Sequence, residues 1–171
     1  MSIQITCYAR KTLPKFLIFV LLTALTTLPP PQPARAEPFF IVSSTADVAY
    51  VGDPTRLTNG VCETAPGNGV CTLRAAIMKA NHYPGGGVTI SLGSGTYQLD
   101  IAKAGADDET TGDLNISNSM TVFGLISSGT IIQGGGVSND RVFHVMAGTL
   151  TLRRVTMCRG VLQYLRNSIF L

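Results

Sequence analysis

From residue 88 to residue 157 the chain is a series of short runs in which apolar side chains recur at every second position. The runs are VTISL (88–92), TYQLDI (96–101), LNI (114–116), MTVF (120–123), TIIQ (130–133), RVFHV (141–145) and TLTLRRVTM (149–157), separated by Gly, Asn or Asp. A period of two puts successive side chains on opposite faces of an extended chain, so each run predicts a strand. The stretch FFIVSSTADVAYV (39–51) is rich in aromatic and β-branched residues and predicts one more. A single segment has another period. Leu73, Ala76, Ile77 and Ala80 fall at i, i+3, i+4 and i+7 and predict a helix over 73–80. Thr72 is placed to cap it, and Asn81 with Pro84-Gly85-Gly86-Gly87 ends it.

The strands repeat. LNISNSMTVFG (114–124) superposes on FHVMAGTLTLR (143–153). Leu114 and Ile116 then match Phe143 and Val145, 29 residues on, while Met120 and Val122 match Leu150 and Leu152, 30 residues on. Two or three short strands per repeat of this length predict coils of a parallel β-solenoid. A β-sandwich also uses short strands and turns and is the rival reading. The fold class expected is mainly β, a solenoid with one short helix before it.

Residues 1–36 read as a secretory signal. Arg10, Lys11 and Lys15 precede a 13-residue apolar run (16–28), then a Pro cluster, then Ala34-Arg35-Ala36 as an A-x-A cleavage pattern. The apolar run is shorter than a bilayer span; an uncleaved N-terminal anchor is the alternative. Membrane contact is expected through this segment only, and the rest of the chain is expected to be secreted or at the cell surface. The signal also distorts the charge. The chain has 13 basic and 10 acidic residues, but four of the basic ones lie in the first 36, which hold no acid. Between 37 and 152 there are 5 basic and 10 acidic residues, which excludes a phosphate-binding surface and hence a nucleic-acid partner.

In an oxidising compartment disulfides persist. Cys7 leaves with the signal; Cys62, Cys71 and Cys158 remain. Cys62 and Cys71 flank the turn-rich ETAPGNGV, whose Pro66-Gly67-Asn68-Gly69 can bring the ends together. They are read as a disulfide. A zinc site is the alternative, but His82 and His144 offer no finger-like or ribbon-like spacing. Cys158 is left odd.

Candidate chemistry is sparse. Asp107, Asp108, Glu109 and Asp113 put four carboxylates within seven residues, enough to suggest Ca²⁺, yet without the D-x-D-x-D-G order of a calcium loop. A solvated acidic insertion is the plainer reading, with Asp113 in a turn or cap contact. Asp140 and Arg141 suggest a local ion pair or Asx-turn. His144 alternates with Phe143 and Val145 and is expected to point to solvent; His82 is expected on the surface. The glycine runs 85–87 and 134–136 do not stand between a strand and a helix and are read as turns, not phosphate loops. No catalytic residues, metal or cofactor are assigned.

The segment CTLRAAIMKAN (71–81) resembles the signature of the CSLREA domain, a module near the start of many secreted bacterial β-helix proteins. The motif positions are Cys71, Thr72, Leu73, Arg74, Ala75, Ala76 and Ile77. The ordered set around it agrees over about 39–157: FIVSSTAD, the paired cysteines, VTISLGSGTYQLDI, GDLNIS, MTVFG and TIIQGGG with NDRVF. The resemblance implies a right-handed parallel β-helix of the pectin-lyase type, with the first strand and helix capping its open end. One departure matters. The motif has Ser-Leu-Arg-Glu where this chain has Thr72-Leu73-Arg74-Ala75, so the Glu half of a capping box is missing.

The expected organisation is a signal (1–36), a cap with disulfide loop and helix (37–87), β-helix coils (88–157) and an atypical tail (158–171). The tail is read as the result of truncation or as a short amphipathic helix with Val161, Leu162, Leu165 and Ile169 near one face. The function expected is a non-enzymatic exported scaffold or adhesin-like protein that contacts extracellular glycan or the cell surface. A polysaccharide lyase or glycoside hydrolase of pectin-lyase-like fold, and a non-functional gene fragment, are the alternatives.

Overall fold

The computed structural model describes residues 37–171 except 106–107, 126–128, 135–140, 159–161, 165–168 and 171, with backbone alone for the last two strands. The elements are β1 (Phe39–Ile41), a 3-10 helix (Pro54–Thr58), α1 (Leu73–His82), β2 (Val88–Leu92), β3 (Gly95–Gln98), β4 (Leu114–Ile116), β5 (Met120–Gly124), β6 (Thr130–Gln133), β7 (Phe143–Val145), β8 (Leu150–Arg153), β9 (Thr156–Cys158), β10 (Leu162–Tyr164) and β11 (Ile169–Phe170). The fold is mainly β, with one α-helix among the described residues.

The strands form three sheets, ordered β1-β2-β5-β8-β11, β10-β7-β4 and β3-β6-β9. All the pairings are parallel. From β2 onward the chain visits the three sheets in turn, and every third strand pairs with its predecessor. The register is the one the repeat predicts. Leu114 and Ile116 lie beside Phe143 and Val145, and Met120 and Val122 lie beside Leu150 and Leu152. A one-residue slip would turn these side chains outward, so the buried face fixes the pairing. The inward rows Val88–Ile90–Leu92, Leu114–Ile116, Met120–Val122, Phe143–Val145 and Leu150–Leu152 form one cluster.

The helix is buried on nearly every side. Leu73, Ala76, Ile77 and Ala80, the predicted face, join that core. Ala75 and Met78 face a second cluster with Tyr50 and Leu57. The helix therefore lies between the first strands, β2 and β4, and the excursion through the 3-10 helix. Cys62 and Cys71 are disulfide-bonded, as expected, with Cα atoms 5.3 Å apart. Cys158, at the end of β9, is a free thiol.

Successive turns stack as closely as the strands. The Ser119 carbonyl accepts from Gly87 N, and Ser119 Oγ accepts from Thr149 N at 3.1 Å. Gly148 has φ +74°, and a Cβ there would lie 2.5 Å from the carbonyl carbon of Asn118. Asn118 in turn donates its Nδ2 to the Tyr83 and Ala80 carbonyls at the helix C-terminus.

Three expectations are corrected. The strand over 39–51 is strand only at 39–41. Beyond it Ser43 and Ser44 donate their N–H groups to the Cys71 carbonyl, and the chain leaves the sheet to cover the helix. The strand over 149–157 is two strands, broken at Arg154, which has φ 54°. The Arg154 carbonyl there approaches Gly124 so closely that no Cβ fits. The tail is not helical at 162–164 or 169–170: these residues pair in parallel with β7 and β8. Val161 and Leu165 lie outside the described residues, as do residues 1–36.

Gly148→Ala is expected to cost about 2 kcal/mol or more, from a side chain in left-handed backbone and a clash with the stacked turn. Urea titration would show a lower midpoint at unchanged slope. Cys62→Ser, which opens a link of sequence separation 9, is expected to lose about 2–3 kcal/mol in the chain-entropy account. The same loss should follow from reducing the native chain, and an unchanged midpoint on reduction would contradict it.

Candidate functional site

The motif residues meet at the start of α1. Thr72 sits in extended backbone with its Oγ1 accepting from Ala75 N at 3.2 Å, which satisfies one of the orphan donors of the first turn. Its hydroxyl donates to the Val48 carbonyl. Ala75 is fully buried against the second cluster, so this position serves packing rather than capping.

Arg74 is the centre of the arrangement. Its side chain is 0% exposed and that of Asp47 2%. Nε and Nη2 reach the two Asp47 oxygens at 2.7 and 3.0 Å. Nη2 also donates to the Gly112 carbonyl at 2.7 Å, and Nη1 lies 3.4 Å from the Asp113 carbonyl. Asp47 Oδ2 further accepts the N–H groups of Asp100 and Ile101 at 2.9 and 3.0 Å. A forked guanidinium on a carboxylate is the strong form of a charged hydrogen bond. Here it ties four separated segments: the crossover at 47, the helix, the exit from β3, and the turn before β4.

The described carboxylates of the acidic segment each have a partner within the protein. Asp107 lies outside the described residues. Asp108 accepts from Thr110 N and Oγ1 at 2.9 and 2.6 Å, and these bonds, the side-chain one foremost, hold its carboxyl below the usual carboxylate range. Glu109 meets His82 Nε2 at 2.6 Å and Asn81 Nδ2 at 2.9 Å. Asp113 is buried and bound by Arg141 Nε at 2.8 Å. Among the described residues no three His, Cys, Asp or Glu side chains gather as a metal site would require. The segment acts as a clasp. Asn115 Nδ2 donates to the Asp108 carbonyl, Asn81 Nδ2 to the Asn115 carbonyl, and Ser117 N to Asn81 Oδ1.

His144 is a correction. It pairs in register with Asn115 on the face opposite the core, as the alternation predicts. It is nevertheless only 8% exposed. The outer face of this sheet is not a solvent face, since Asn115 is 1% exposed under the acidic segment. His82 is on the surface as expected. Arg141 has a partner across the strand pair in Asp113; Asp140, the expected local partner, lies outside the described residues. Gly86 and Gly87 are turn residues with positive φ; Gly134 bonds the Cys158 carbonyl, and 135–136 lie outside the described residues. Arg153 and Arg154 are exposed at the end of β8.

Three buried charged positions escaped the sequence reading: Asp47, Lys79 and Glu63. Each is an ordinary charged residue in a polar stretch. Only the fold shows that all three side chains are buried.

Arg74→Met leaves the Asp47 carboxylate buried without its cation and is expected to cost about 3–5 kcal/mol. Asp47→Leu alone should cost a similar amount. The double variant should recover part of the loss, because a removed buried pair is cheaper than a broken one. Denaturant titration of the four chains measures the coupling; additive losses would contradict it.

No protein-family model, no curated protein and no solved structure matches the chain.

Proposed function

We propose that the chain is an exported protein of the CSLREA kind. In this reading its residues from 37 onward form the capped end of a right-handed parallel β-helix that serves as a non-enzymatic scaffold at the cell surface or outside the cell. The observation that carries the reading is the strand circuit. From β2 onward three sheets are visited in turn, each strand from β5 on pairs in parallel with the strand three before it, and α1 packs on β2 and β4. A strand run of this kind stacks coil on coil and displays long, regular outer faces. The motif supplies the cap: Thr72 starts the helix and Arg74 anchors it to the crossover and to the turn before β4.

Export is supported by the basic–apolar–small pattern of residues 1–36 and is compatible with the Cys62–Cys71 bond. The scaffold reading rests on what the charged groups do. The Arg74–Asp47, Arg141–Asp113 and His82–Glu109 pairs each join separate segments of the chain.

The test has two readouts. Residues 1–36 fused to a reporter active only in an oxidising compartment should give activity, and Arg placed within 16–28 should abolish it. The purified exported protein should bind a subset of an extracellular glycan panel and leave polygalacturonate uncleaved in Ca²⁺. Accumulation of unsaturated products would replace the scaffold reading with a lyase.

A further inference from the structure

Two exposed cations at the end of β8 lack a counterion among the described residues. Arg56, Arg74 and Arg141 each face a carboxylate. Arg153 and Arg154 are exposed, and no described carboxylate lies within ion-pairing distance of either. The strands beside them, β1, β2, β5 and β8, contain no Asp or Glu. Arg154 is also the one non-glycine residue with positive φ among those described. That conformation is sparsely populated and clusters at ligand sites. It sets the Arg154 backbone against Gly124 and brings Cζ to 5.6 Å from the centroid of the Phe123 ring. Arg153 lies beside Phe123 in the strand register. Two guanidiniums therefore flank one aromatic ring.

The register extends this arrangement across the outer face of the sheet. Ile41, Ser91, Phe123 and Arg153 form one row over four strands. Ile41 is 66% exposed and Ser91 2%, so the row presents an apolar step, then a ring, then charge. Thr89, Thr121 and Thr151 form the half-buried row beside it. Neighbouring strands lie about 4.8 Å apart, close to the rise of one sugar unit in an extended glycan. The ring accepts the apolar face of a sugar, and threonine hydroxyls exchange hydrogen bonds with sugar hydroxyls. Guanidinium forks take an oxyanion. A carboxylate has two oxygens and is filled by one fork. Two forks side by side suit an anion with three, and a sulfate ester has three terminal oxygens and a single charge. Between 37 and 152 acids outnumber bases 10 to 5, so a densely charged polyanion is repelled where a sparsely charged one is not.

We propose that Phe123, Arg153 and Arg154 form a binding site for a sparsely sulfated glycan. Its sugars run across the strands along the Ile41–Arg153 row, and a sulfate ester sits between the two guanidiniums. The site rests on the scaffold reading above and supplies it with a ligand class.

Calorimetric titration of the purified exported chain tests this. The probe is an oligosaccharide of a galactan sulfated on alternate sugars, compared with its desulfated and carboxymethylated forms. Binding is expected for the sulfated form alone and should weaken as salt is added. Arg153→Gln and Arg154→Gly should each lower affinity about tenfold or more. Glycine suits the left-handed backbone at 154, so that variant keeps the fold. Lys103→Gln, an exposed cation outside this sheet, should leave binding unchanged. Equal binding of the desulfated or carboxymethylated form overturns the proposal, and so does binding that both arginine variants retain. A chain that binds other glycans but not the sulfated galactan loses the site and keeps the scaffold reading. Cleavage of the bound galactan would do the reverse.

Discussion

Arg74 and Asp47 place two charges where water does not reach, and the rest of the cap is arranged so that this is tolerable. Desolvation alone would cost several kcal/mol per ion. It is offset by further hydrogen bonds on both sides: the guanidinium also meets the Gly112 and Asp113 carbonyls, and the carboxylate also meets the Asp100 and Ile101 amides. Those four backbone groups belong to the two ends of the irregular segment between β3 and β4. The anchor thus sets where that segment starts and ends. It also sets where Asp108, Glu109 and Asp113 are delivered.

The consequences run outward from there. Asn81, at the end of the helix, reaches Glu109 and Asn115, and Asn118 closes the helix carbonyls. The next turn, at Gly148, must then fit against Asn118 and Ser119, where only glycine has room. The helix C-terminus is therefore linked to the turns between β4 and β5 and between β7 and β8 through polar contacts. Each later strand inherits its place from the one beneath through parallel pairing and the inward apolar rows. Each strand from β5 onward is thus supported chiefly by the parallel strand beneath it and by the shared apolar core.

The helix shows why one apolar stripe can understate burial. Its pattern predicts one packed face, Leu73–Ala76–Ile77–Ala80, and that face is in the core. Yet Arg74, Ala75, Met78 and Lys79 are also buried. The second face is covered by a segment read as strand, which instead leaves the sheet at Ser43 and returns through the 3-10 helix. Long basic side chains can line such a cover because their stems are apolar and their heads find carbonyls and rings.

What the sequence determined was everything carried by local periodicity and spacing. The short strands between 88 and 145, the pairing offset, the helix with Thr72 at its start, and the Cys62–Cys71 bond were legible because each depends on neighbours a few residues apart or on a buried face that repeats. The tertiary structure alone decided which charged residues lie inside. Asp47 meets Arg74 across 27 residues, and Arg141 meets Asp113 across 28. No pattern within either segment marks such a partner. It decided equally that His144, correctly placed on the outer row, is covered. It split the last predicted strand at Arg154 and placed 162–164 and 169–170 in the sheets, where backbone pairing gives order to residues whose own pattern specifies no strand.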